Sequence, residues 1–423
     1  MKVLVIGSGG REHAMVWKLA QSRQVDKIYC CQGNAGISEI AECIDINMDD
    51  HEALIDLVKY EWIDMTIVGP EVPLSEGIVN AFEKKGRKIM GPTKAAAQLE
   101  SSKVFAKDFM KKYNIPTAAY KVFTSYNQAE EYIRLKGAPI VVKADGLAAG
   151  KGVIVAETVD DAFDGIKLIM KDRVFGDAGD RVVIEDCLKG EEASYMIFTD
   201  GKTILPMVSS QDHKRIFDDD KGPNTGGMGA YSPAPVVTGE LEQVVLKKVM
   251  QPVIDGMKKE GIKFKGILYA GLMIDNGNPK VLEYNCRLGD PETQPVLMRM
   301  ESDLMDIAFG ITDEKLDEVD IKWKDESTVC VVISSKGYPG KYGKGEVITG
   351  LDQFRGGKDV VVFHAGTSFN DDKLVTSGGR VLGVTALGKD LKEAKQKTYD
   401  AINKIHFDGM HFRKDIADRA FNR

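Results

Sequence analysis

The chain has 423 residues, of which 43% are hydrophobic and 29% are charged, and its formal net charge is -7. This length predicts roughly two to four domains or subdomains. The mildly acidic balance argues against nucleic acid as a partner, because binding a phosphate backbone requires a basic face. No apolar run is long enough to span a bilayer and the N-terminus lacks a signal-peptide layout, so we expect no membrane partner and a cytoplasmic location.

The six cysteines form no C-x-x-C pair and no regular framework. This usage predicts reduced, partly buried thiols, as in a cytosolic protein. The sequence contains no oligomerisation signal, and we expect a monomer.

Strand and helix patterns alternate over the first 90 residues. The predicted strands are 2–7, 27–31, 64–69 and 88–90, and the predicted helices are 12–21, 50–60 and 74–85. This order predicts a parallel sheet with helices on both faces. Ligands bind such sheets at the carboxyl ends of the strands, where G-S-G-G-R-E-H (7–13) and G-P-E-V-P-L (69–74) fall.

The first of these loops fits a dinucleotide site poorly. Glu12 occupies the position where that pattern requires its last glycine, and no acidic residue follows the second strand. A glycine-rich loop before a helix still favours a small anion such as a sugar phosphate, with Arg11 assisting. A tight turn without a ligand is an equally open interpretation.

A boundary is predicted near residues 91–93, followed by a long helix over 94–113 and a second α/β pattern. Within it, residues 141–152 read V-V-K-A-D-G-L-A-A-G-K-G. Gly146, Gly150 and Gly152 allow the backbone to approach phosphate oxygens, and Lys143 and Lys151 add positive charge. The alternative is a β-hairpin with a solvated lysine.

Residues 281–287 read V-L-E-Y-N-C-R. Because side chains alternate along a strand, Glu283, Asn285 and Arg287 are predicted to share one face. The carboxylate and amide oxygens suit Mg²⁺, and the guanidinium can neutralise a transferring phosphoryl group. Alone this strand reads as a polar surface strand, but together with the glycine loop it predicts ATP used to activate an acid.

The later part of the chain contains a long polar stretch and a third domain. Residues 209–231 predict a lid-like loop, in which the run 218–220 of three aspartates is interpreted as a solvated charge cluster. Residues 266–274 and 279–285 predict a hairpin. From about residue 327, strands at 329–334, 360–363 and 380–386 and a helix at 391–405 are predicted.

The sequence blocks resemble the ATP-grasp enzymes and, within them, the glycinamide ribonucleotide synthetase family. The matching blocks cover the whole chain in the family order and are V-L-V-I-G-x-G-G-R-E-H-A, V-G-P-E-x-P-L, K-A-D-G-L-A-A-G-K-G-V, S-Q-D-H-K-R, G-P-N-T-G-G-M-G-A-Y-S-P-A-P, L-Y-A-G-L-M-I, E-Y-N-C-R-L-G-D-P-E-T-Q and V-F-H-A-G-T.

The resemblance implies a multidomain α/β and α+β fold. It consists of an N-terminal parallel-sheet domain (1–100), an ATP-grasp domain (101–325, lid about 117–190) that clamps ATP between two β-sheets, and a small α+β C-terminal domain (326–423). The implied reaction phosphorylates glycine to glycyl phosphate, which the amine of 5-phosphoribosylamine attacks to give glycinamide ribonucleotide, ADP and phosphate.

The resemblance also implies residue roles. Arg287, Asp212 and Lys214 are implied to be catalytic, and Glu283 and Asn285 to bind Mg²⁺ or Mn²⁺. The implied ATP-binding residues are Lys103, Lys143, Gly146, Gly150, Lys151, Gly152, Glu185, Asp186, Leu188, Glu191 and Glu192. The implied substrate-binding residues are Gly9, Gly10, Arg11, Glu71, Asn224, Gly226, Gly227, Asp290, Lys336 and Gly340.

One departure concerns the metal. Many ATP-grasp enzymes carry a further acidic ligand on the strand before the E-x-N strand, but here residues 268–274 contain no carboxylate. Asp275 is a doubtful substitute, and Asp212 or Glu292 are weak candidates. Two alternatives to the ligase are an ATP-grasp carboxylase or formate-using transferase and a nucleotide-sensing protein without catalysis. The long 209–231 loop argues against the first, and the presence of Glu283, Asn285 and Arg287 argues against the second.

Overall fold

The computed structural model of the protein describes residues 1–148 and 152–421. The first 90 residues form the predicted parallel sheet, in the order β3-β2-β1-β4-β5. Its strands are β1 (Lys2–Gly7), β2 (Lys27–Gln32), β3 (Glu42–Ile44), β4 (Met65–Val68) and β5 (Ile89–Met90). Its helices are α1 (Gly10–Leu19), α2 (His51–Tyr60), α3 (Glu71–Glu76) and α4 (Ile78–Lys84).

One predicted helix of this region was wrong. Residues 74–85 form parts of two helices, because Gly77 adopts φ +98°, a left-handed conformation that ends α3. The start of α3 at Glu71 places this carboxylate at the carboxyl end of β4, as the strand-edge rule requires.

Residues 98–186 contain the next helices and a second, small sheet. The helices are α5 (Gln98–Ser101), α6 (Lys103–Lys112), α7 (Tyr126–Lys136) and α8 (Val159–Ile166). The strands are β6 (Tyr120–Phe123), β7 (Ile140–Ala144), β8 (Val153–Ala156) and β9 (Val182–Asp186), in the sheet order β6-β9-β7-β8. This small sheet has its own hydrophobic core, built from residues such as Ile133, Val142 and Ile166.

The predicted helix over 94–113 was also wrong, because it breaks at Ser102. Ser102 is extended, with φ −134° and ψ 114°, and its hydroxyl accepts a hydrogen bond from the Phe105 N–H at 3.1 Å. This N-cap begins α6 at Lys103. This break in the helix therefore places Lys103, which is predicted to bind ATP, at the first position of α6.

Residues 191–299 form the larger sheet of the central region, in the order β11-β10-β16-β17. The elements of this segment are β10 (Glu191–Thr199), β11 (Ile204–Pro206), β12 (Gln211–Asp212), β13 (Arg215–Phe217), β14 (Lys221–Asn224), β15 (Gly229–Ser232), α9 (Gly239–Val245), α10 (Gln251–Lys259), β16 (Gly266–Asp275), β17 (Asn278–Asn285) and α11 (Thr293–Arg299). The predicted β16–β17 hairpin is confirmed.

The remaining elements are α12 (Leu304–Thr312), β18 (Ser327–Ser334), β19 (Val360–His364), β20 (Thr367–Asn370), β21 (Lys373–Thr376), β22 (Arg380–Gly388) and α13 (Leu391–Ile402). Strands β18, β22 and β19 form a sheet with two strands from the 209–231 stretch, in the order β12-β15-β18-β22-β19. The expectation that 209–231 is one loop was wrong, because it contains β12 to β14 and most of β15. A sheet therefore crosses the predicted boundary at residue 326.

A single hydrophobic core joins the N-terminal, central and C-terminal parts. It includes Met15 of α1, Phe198 of β10, Met305 of α12 and Phe363 of β19. His13 is buried in the same region, and its Nδ1 accepts the His364 N–H at 2.7 Å. The small β6–β9 sheet is packed on a core of its own.

Candidate active site

The two sheets of the central region line one cavity of about 510 Å³, which extends to loops of the N-terminal and C-terminal parts. Apolar side chains of both sheets, among them Val153, Val155 and Met273, form one wall. Predicted site residues that line it are Arg11, Glu71, Lys103, Lys143, Gly152, Glu185, Asp186, Leu188, Glu192, Asp212, Lys214, Asn224, Gly226, Glu283, Asn285, Arg287 and Asp290.

Other predicted site residues lie at the margin of the cavity or outside it. A Cβ atom on Gly9 or Gly10 would lie 3.6 Å from the carboxylate of Asp290, which lines the cavity, but the two glycines are not among the lining residues. Glu191 is directed to Gln211, whose Nε2 lies 3.0 Å from Glu191 Oε1. Lys336 and Gly340 are exposed and do not line the cavity, although Tyr338 between them accepts the Gly226 N–H at 3.0 Å. The predictions for Gly150 and Lys151 lie outside the described residues.

The glycine-rich first loop accommodates a buried glutamate. Glu12 Oε2 accepts the Gly9 N–H at 2.6 Å, and Glu12 Oε1 lies 2.6 Å from Arg11 Nε. A Cβ atom on Gly7 or Gly69 would lie within 2.6 Å of the Glu12 side chain. Glu12 therefore occupies an N–H donor that a bound pyrophosphate would need, which gives the poor dinucleotide fit a structural cause.

Lys143 connects the two sheets across the cavity. Its Nζ lies 3.1 Å from the Leu282 carbonyl oxygen of β17 and 3.1 Å from Glu185 Oε1 of β9. The other Glu185 oxygen lies 2.8 Å from Lys107 Nζ. Burial outweighs the attraction of Glu185 and lowers the Lys107 pKa to about 8. Glu185, which is implied to bind ATP, thus directs its carboxylate to two lysines.

The predicted metal-binding residues Glu283 and Asn285 lie on β17, whose pairing with β16 has an irregular register. Gly271 pairs with Glu283 and Leu272 pairs with Val281, so Leu282 is an extra residue that shifts the alternation. Burial raises the Glu283 pKa, but four cations led by Lys214 outweigh it, and the net pKa is lowered. An ionised, half-buried carboxylate beside the Asn285 amide fits a divalent cation that also binds phosphate oxygens.

Arg287 is held by carboxylates from two other elements. Its Nε lies 3.1 Å from Glu71 Oε2, its Nη2 lies 3.0 Å from Glu100 Oε1, and its Nη2 also donates to Asn285 Oδ1 at 3.1 Å. Burial alone would raise the Glu71 pKa, but Arg287 and Arg11 lower it to about 2. The sequence analysis did not identify Glu100, because an acidic residue three positions before a lysine forms no recognised motif.

The β12–β13 segment brings a charged group to the other side of the cavity. Lys214 Nζ lies 2.7 Å from Glu192 Oε2. Burial lowers the Lys214 pKa, but Glu192, Asp212 and Glu283 raise it well above its usual value. Burial raises the Asp212 pKa to about 7; Lys214 opposes this shift, and Glu292 and Glu192 reinforce it.

Arg380 of β22 is a further residue that sequence reasoning missed. Its Nη1 donates to the carbonyl oxygens of Gly226 and Asp290 at 2.8 and 2.7 Å, and its Nη2 lies 2.8 Å from Asp290 Oδ2. These contacts fix the Asn224–Gly227 turn against the Asp290 loop. A basic residue at the start of a C-terminal strand gives no sequence signal for this role.

The structure shows no further metal cluster in the parts of the chain that it describes. Within 1–148 and 152–421, no group of three or more His, Cys, Asp or Glu residues is arranged to hold a metal ion. Asp275 does not line the cavity. Any bound cation must therefore complete its shell with the nucleotide and water, in keeping with how Mg²⁺ is usually held.

A nucleotide-sized cavity between two sheets, with Lys143 on one sheet and the Glu283–Asn285 pair on the other, defines an ATP-grasp enzyme. Three family models match: phosphoribosylglycinamide synthetase N domain (residues 1–100), ATP-grasp (A) domain (101–293) and C domain (328–419). ATP-grasp enzymes use ATP and a divalent metal ion. The chain belongs to the phosphoribosylglycinamide synthetase family.

Similar proteins agree over the full length. A phosphoribosylamine–glycine ligase of Vibrio parahaemolyticus is 54% identical over 428 residues, covering 100% of this chain and 99% of that protein. The crystal structure of a phosphoribosylamine–glycine ligase from Thermotoga maritima has a TM-score of 0.85 at 34% identity, covering 99% of this chain and 100% of that one. A biotin carboxylase from Campylobacter jejuni shares the fold, with a TM-score of 0.75 at 14% identity over 100% of this chain and 95% of that one.

In the described part of the chain, none of the helices combines the length and the apolar character that crossing a bilayer requires.

Proposed function

We propose that this protein joins glycine to 5-phospho-D-ribosylamine at the expense of ATP, through glycyl phosphate, in purine biosynthesis. The observation that carries the proposal is the convergence of Lys103, Lys143, Glu283, Asn285 and Arg287 on one cavity between two sheets. Full-length identity of 54% to ligases named for these two substrates supports it.

The first step needs a carboxylate to attack the terminal phosphorus of ATP. A free carboxylate is a poor acyl donor until one of its oxygens becomes a leaving group, and phosphorylation supplies one. Lys103 and Lys143 hold the phosphates, and Arg287 stabilises the negative charge on the transferring group. The 145–152 loop, with Gly146 and Gly152 in its described part, covers the nucleotide.

Glu283 and Asn285 would hold Mg²⁺ or Mn²⁺, and an ion bound there would supply positive charge against the phosphates. The lowered Glu283 pKa supports this role, since a metal ligand of this kind must be ionised. Asp186, Leu188 and Glu192 line the part of the cavity assigned to adenine and ribose.

The second substrate approaches from the N-terminal side. Arg11, Glu71 and Asp290 line this end of the cavity, and Gly9 and Gly10 lie beside Asp290. Its amine attacks the acyl carbon, and phosphate leaves. Asp212, Lys214 and Asn224 border the place where the two substrates meet. Closure of the lid sheet excludes water, which would otherwise hydrolyse the acyl phosphate.

We further propose a cytoplasmic monomer. The six cysteines are free thiols, which supports a reducing compartment.

The test follows oxygen from glycine to phosphate. Glycine labelled with ¹⁸O in its carboxylate is incubated with the protein, ATP, Mg²⁺ and phosphoribosylamine. Phosphate release must depend on both substrates, and the label must appear in the released phosphate. Turnover with unlabelled phosphate would exclude an acyl phosphate, and release without either substrate would exclude the ligase.

A further inference from the structure

Lys107 is a buried cation that the proposed mechanism does not use. It lies on α6, one helical turn after Lys103, and is 2% exposed. It does not line the cavity, so it cannot contact a nucleotide that is bound there. A buried ammonium group is costly unless it is paired, and its contacts therefore indicate what it does.

The Lys107 ammonium group connects the two sheets of the central region. Its Nζ lies 2.8 Å from Glu185 Oε2 of β9 and donates to Thr117 Oγ1 at 2.7 Å. The Thr117 hydroxyl donates in turn to the Val281 carbonyl oxygen of β17 at 2.6 Å. The Val281 N–H donates to the Pro116 carbonyl oxygen at 2.8 Å, so two hydrogen bonds hold this segment on β17. Lys107 thus contacts the small sheet at Glu185 and the larger sheet through Thr117.

Glu185 is the residue that links Lys107 to the cavity. Its carboxylate is buried between two lysines, with Oε2 at Lys107 and Oε1 3.1 Å from Lys143 Nζ. Lys143 lines the cavity and also donates to the Leu282 carbonyl oxygen of β17 at 3.1 Å. Because Lys107 occupies one oxygen of Glu185, the other is left for Lys143, and the Lys143 ammonium group is held where the two sheets meet.

The charges of these three residues leave Lys143 available to a phosphate group. Two lysines share one carboxylate, so the three side chains together carry a net positive charge. Because Lys107 lies outside the cavity, a bound phosphate meets this excess charge at Lys143. Without Lys107, the Glu185 carboxylate would neutralise Lys143 and would compete with the phosphate oxygens for its N–H donors.

We propose that Lys107 is a positioning residue of the ATP site, which neutralises Glu185 and so presents Lys143 to the ATP phosphates. This inference rests on the part of the proposed function that assigns Lys143 to these phosphates. The effect of Lys107 on ATP binding must then pass through the Glu185 carboxylate. A lysine that only stabilises the fold would not depend on Glu185 in this way.

The experiment is a double-mutant cycle on ATP binding. A non-hydrolysable ATP analogue with Mg²⁺ is titrated by calorimetry into the full-length wild-type protein, Lys107→Met, Glu185→Gln and the double variant. Lys107→Met keeps most of the side-chain volume but not the charge. It should weaken binding of the analogue roughly 10- to 100-fold, the range for a lost hydrogen bond to a charged group.

The same substitution should have little effect when Glu185 is already Gln. The affinity should then change by no more than about twofold, because no carboxylate remains to neutralise Lys143. An equal loss of affinity on both backgrounds would mean that Lys107 acts independently of Glu185 and would overturn the inference. Unchanged affinity of Lys107→Met on the wild-type background would overturn it as well.

Matched controls separate this role from folding and from the proposed function. Lys111→Met removes an exposed lysine of the same helix and should leave the affinity for the analogue unchanged. Circular-dichroism melting reports whether each variant is folded. If Lys107→Met does not fold, Glu185→Gln and the double variant are compared, since neither contains the buried carboxylate. A loss of roughly tenfold or more between these two would overturn the inference, and equal affinities would support it.

The proposed function fails in a different way. A wild-type protein that binds the analogue but releases no phosphate with glycine and phosphoribosylamine would reject the proposed function, whereas the cycle on Lys107 and Glu185 would still test the inference.

Discussion

The Glu100 carboxylate bridges the Arg287 guanidinium and the backbone N–H of Cys286, the residue before Arg287. One oxygen lies 3.0 Å from Arg287 Nη2, and the other accepts the Cys286 N–H at 2.7 Å. Burial raises the Glu100 pKa, although Arg287 opposes the shift. With Glu71 on Nε, the guanidinium is fixed from two sides before any substrate binds.

We predict that Glu100 positions Arg287. Glu100→Gln keeps an acceptor for the Cys286 N–H but removes the charge, and should lower kcat by roughly 10- to 100-fold, since a hydrogen bond to a charged group contributes about 1.5–3 kcal/mol. The KM for ATP should change little. Steady-state kinetics check this. A purely structural role would instead lower the melting temperature and leave kcat of the folded protein intact.

Lys143→Ala should raise the KM for ATP. The substitution removes a phosphate-binding cation and leaves the buried Glu185 with Lys107 alone. We expect the KM for ATP to increase roughly 10-fold or more, because a charge-assisted contact to the phosphates is lost. The exposed Lys167→Ala is the matched control. An ATP dependence equal to that of the control would remove Lys143 from the nucleotide site.

Glu283→Gln should weaken metal binding and sharply reduce turnover while the fold is kept. The amide retains the shape of the side chain but not the charge that draws a divalent cation. Activity measured against Mg²⁺ and Mn²⁺ concentration should show a higher metal requirement. Normal activity at low metal concentration would contradict the assignment.

Glycine binding should depend on pH through Asp212. Its pKa of about 7 means that the carboxyl is partly protonated at neutral pH, whereas an ammonium ligand requires it ionised. Glycine affinity should fall as the pH drops below 7, and binding near pH 7 should release protons. Calorimetry in buffers of different ionisation enthalpy measures this release. Asp212→Asn should abolish it; release that persists in this variant would assign it to another group.

The raised pKa of Asp212 also affects the free energy of unfolding. Because the folded-state pKa of Asp212 lies above its usual value of 3.8, the folded form prefers the protonated acid. This group therefore destabilises the free protein progressively as the pH rises from about 4 to 7. Unfolding midpoints of wild type and Asp212→Asn should differ more at pH 8 than at pH 4. A difference in unfolding midpoint that is the same at pH 4 and pH 8 would contradict the raised pKa of Asp212.

Arg413 should position the β13–β14 hairpin at the active site. It is 1% exposed, and its guanidinium contacts Asp220 at 2.9 Å, Asp415 at 2.6 Å and the Arg215 carbonyl oxygen at 3.1 Å. Arg413→Met should lower stability by roughly 1–3 kcal/mol, the usual range for disrupting a buried polar network. In the folded variant the KM for glycine should rise more than that for ATP.

Lys414→Met is the control for Arg413, because the Lys414 side chain is exposed. Equal effects of the two substitutions on the KM for glycine would exclude the positioning role. Asp219 and Asp220 are exposed, as expected for a solvated charge cluster, and the contacts of Arg413 and Arg419 with Asp220 add an anchoring role for this one aspartate.

Local patterns in the sequence were enough for the site residues that share one strand or one loop. The alternation of Glu283, Asn285 and Arg287 and the glycines after Lys143 follow from backbone geometry alone. The parallel N-terminal sheet and the β16–β17 hairpin also follow from periodicity and turn residues. Predicted helices failed at Gly77 and Ser102, where a single residue leaves helical geometry without breaking the hydrophobic pattern.

The tertiary structure alone decided the partners of these residues. Glu100 meets Arg287, Glu185 meets Lys107, and Arg380 meets Asp290, and each pair is far apart in the chain. Two strands of the 209–231 stretch, β12 and β15, likewise join a sheet whose other members begin at Ser327. Contacts of this kind depend on which buried charge can find a counter-charge once the cores have packed, and sequence spacing carries no information about that choice.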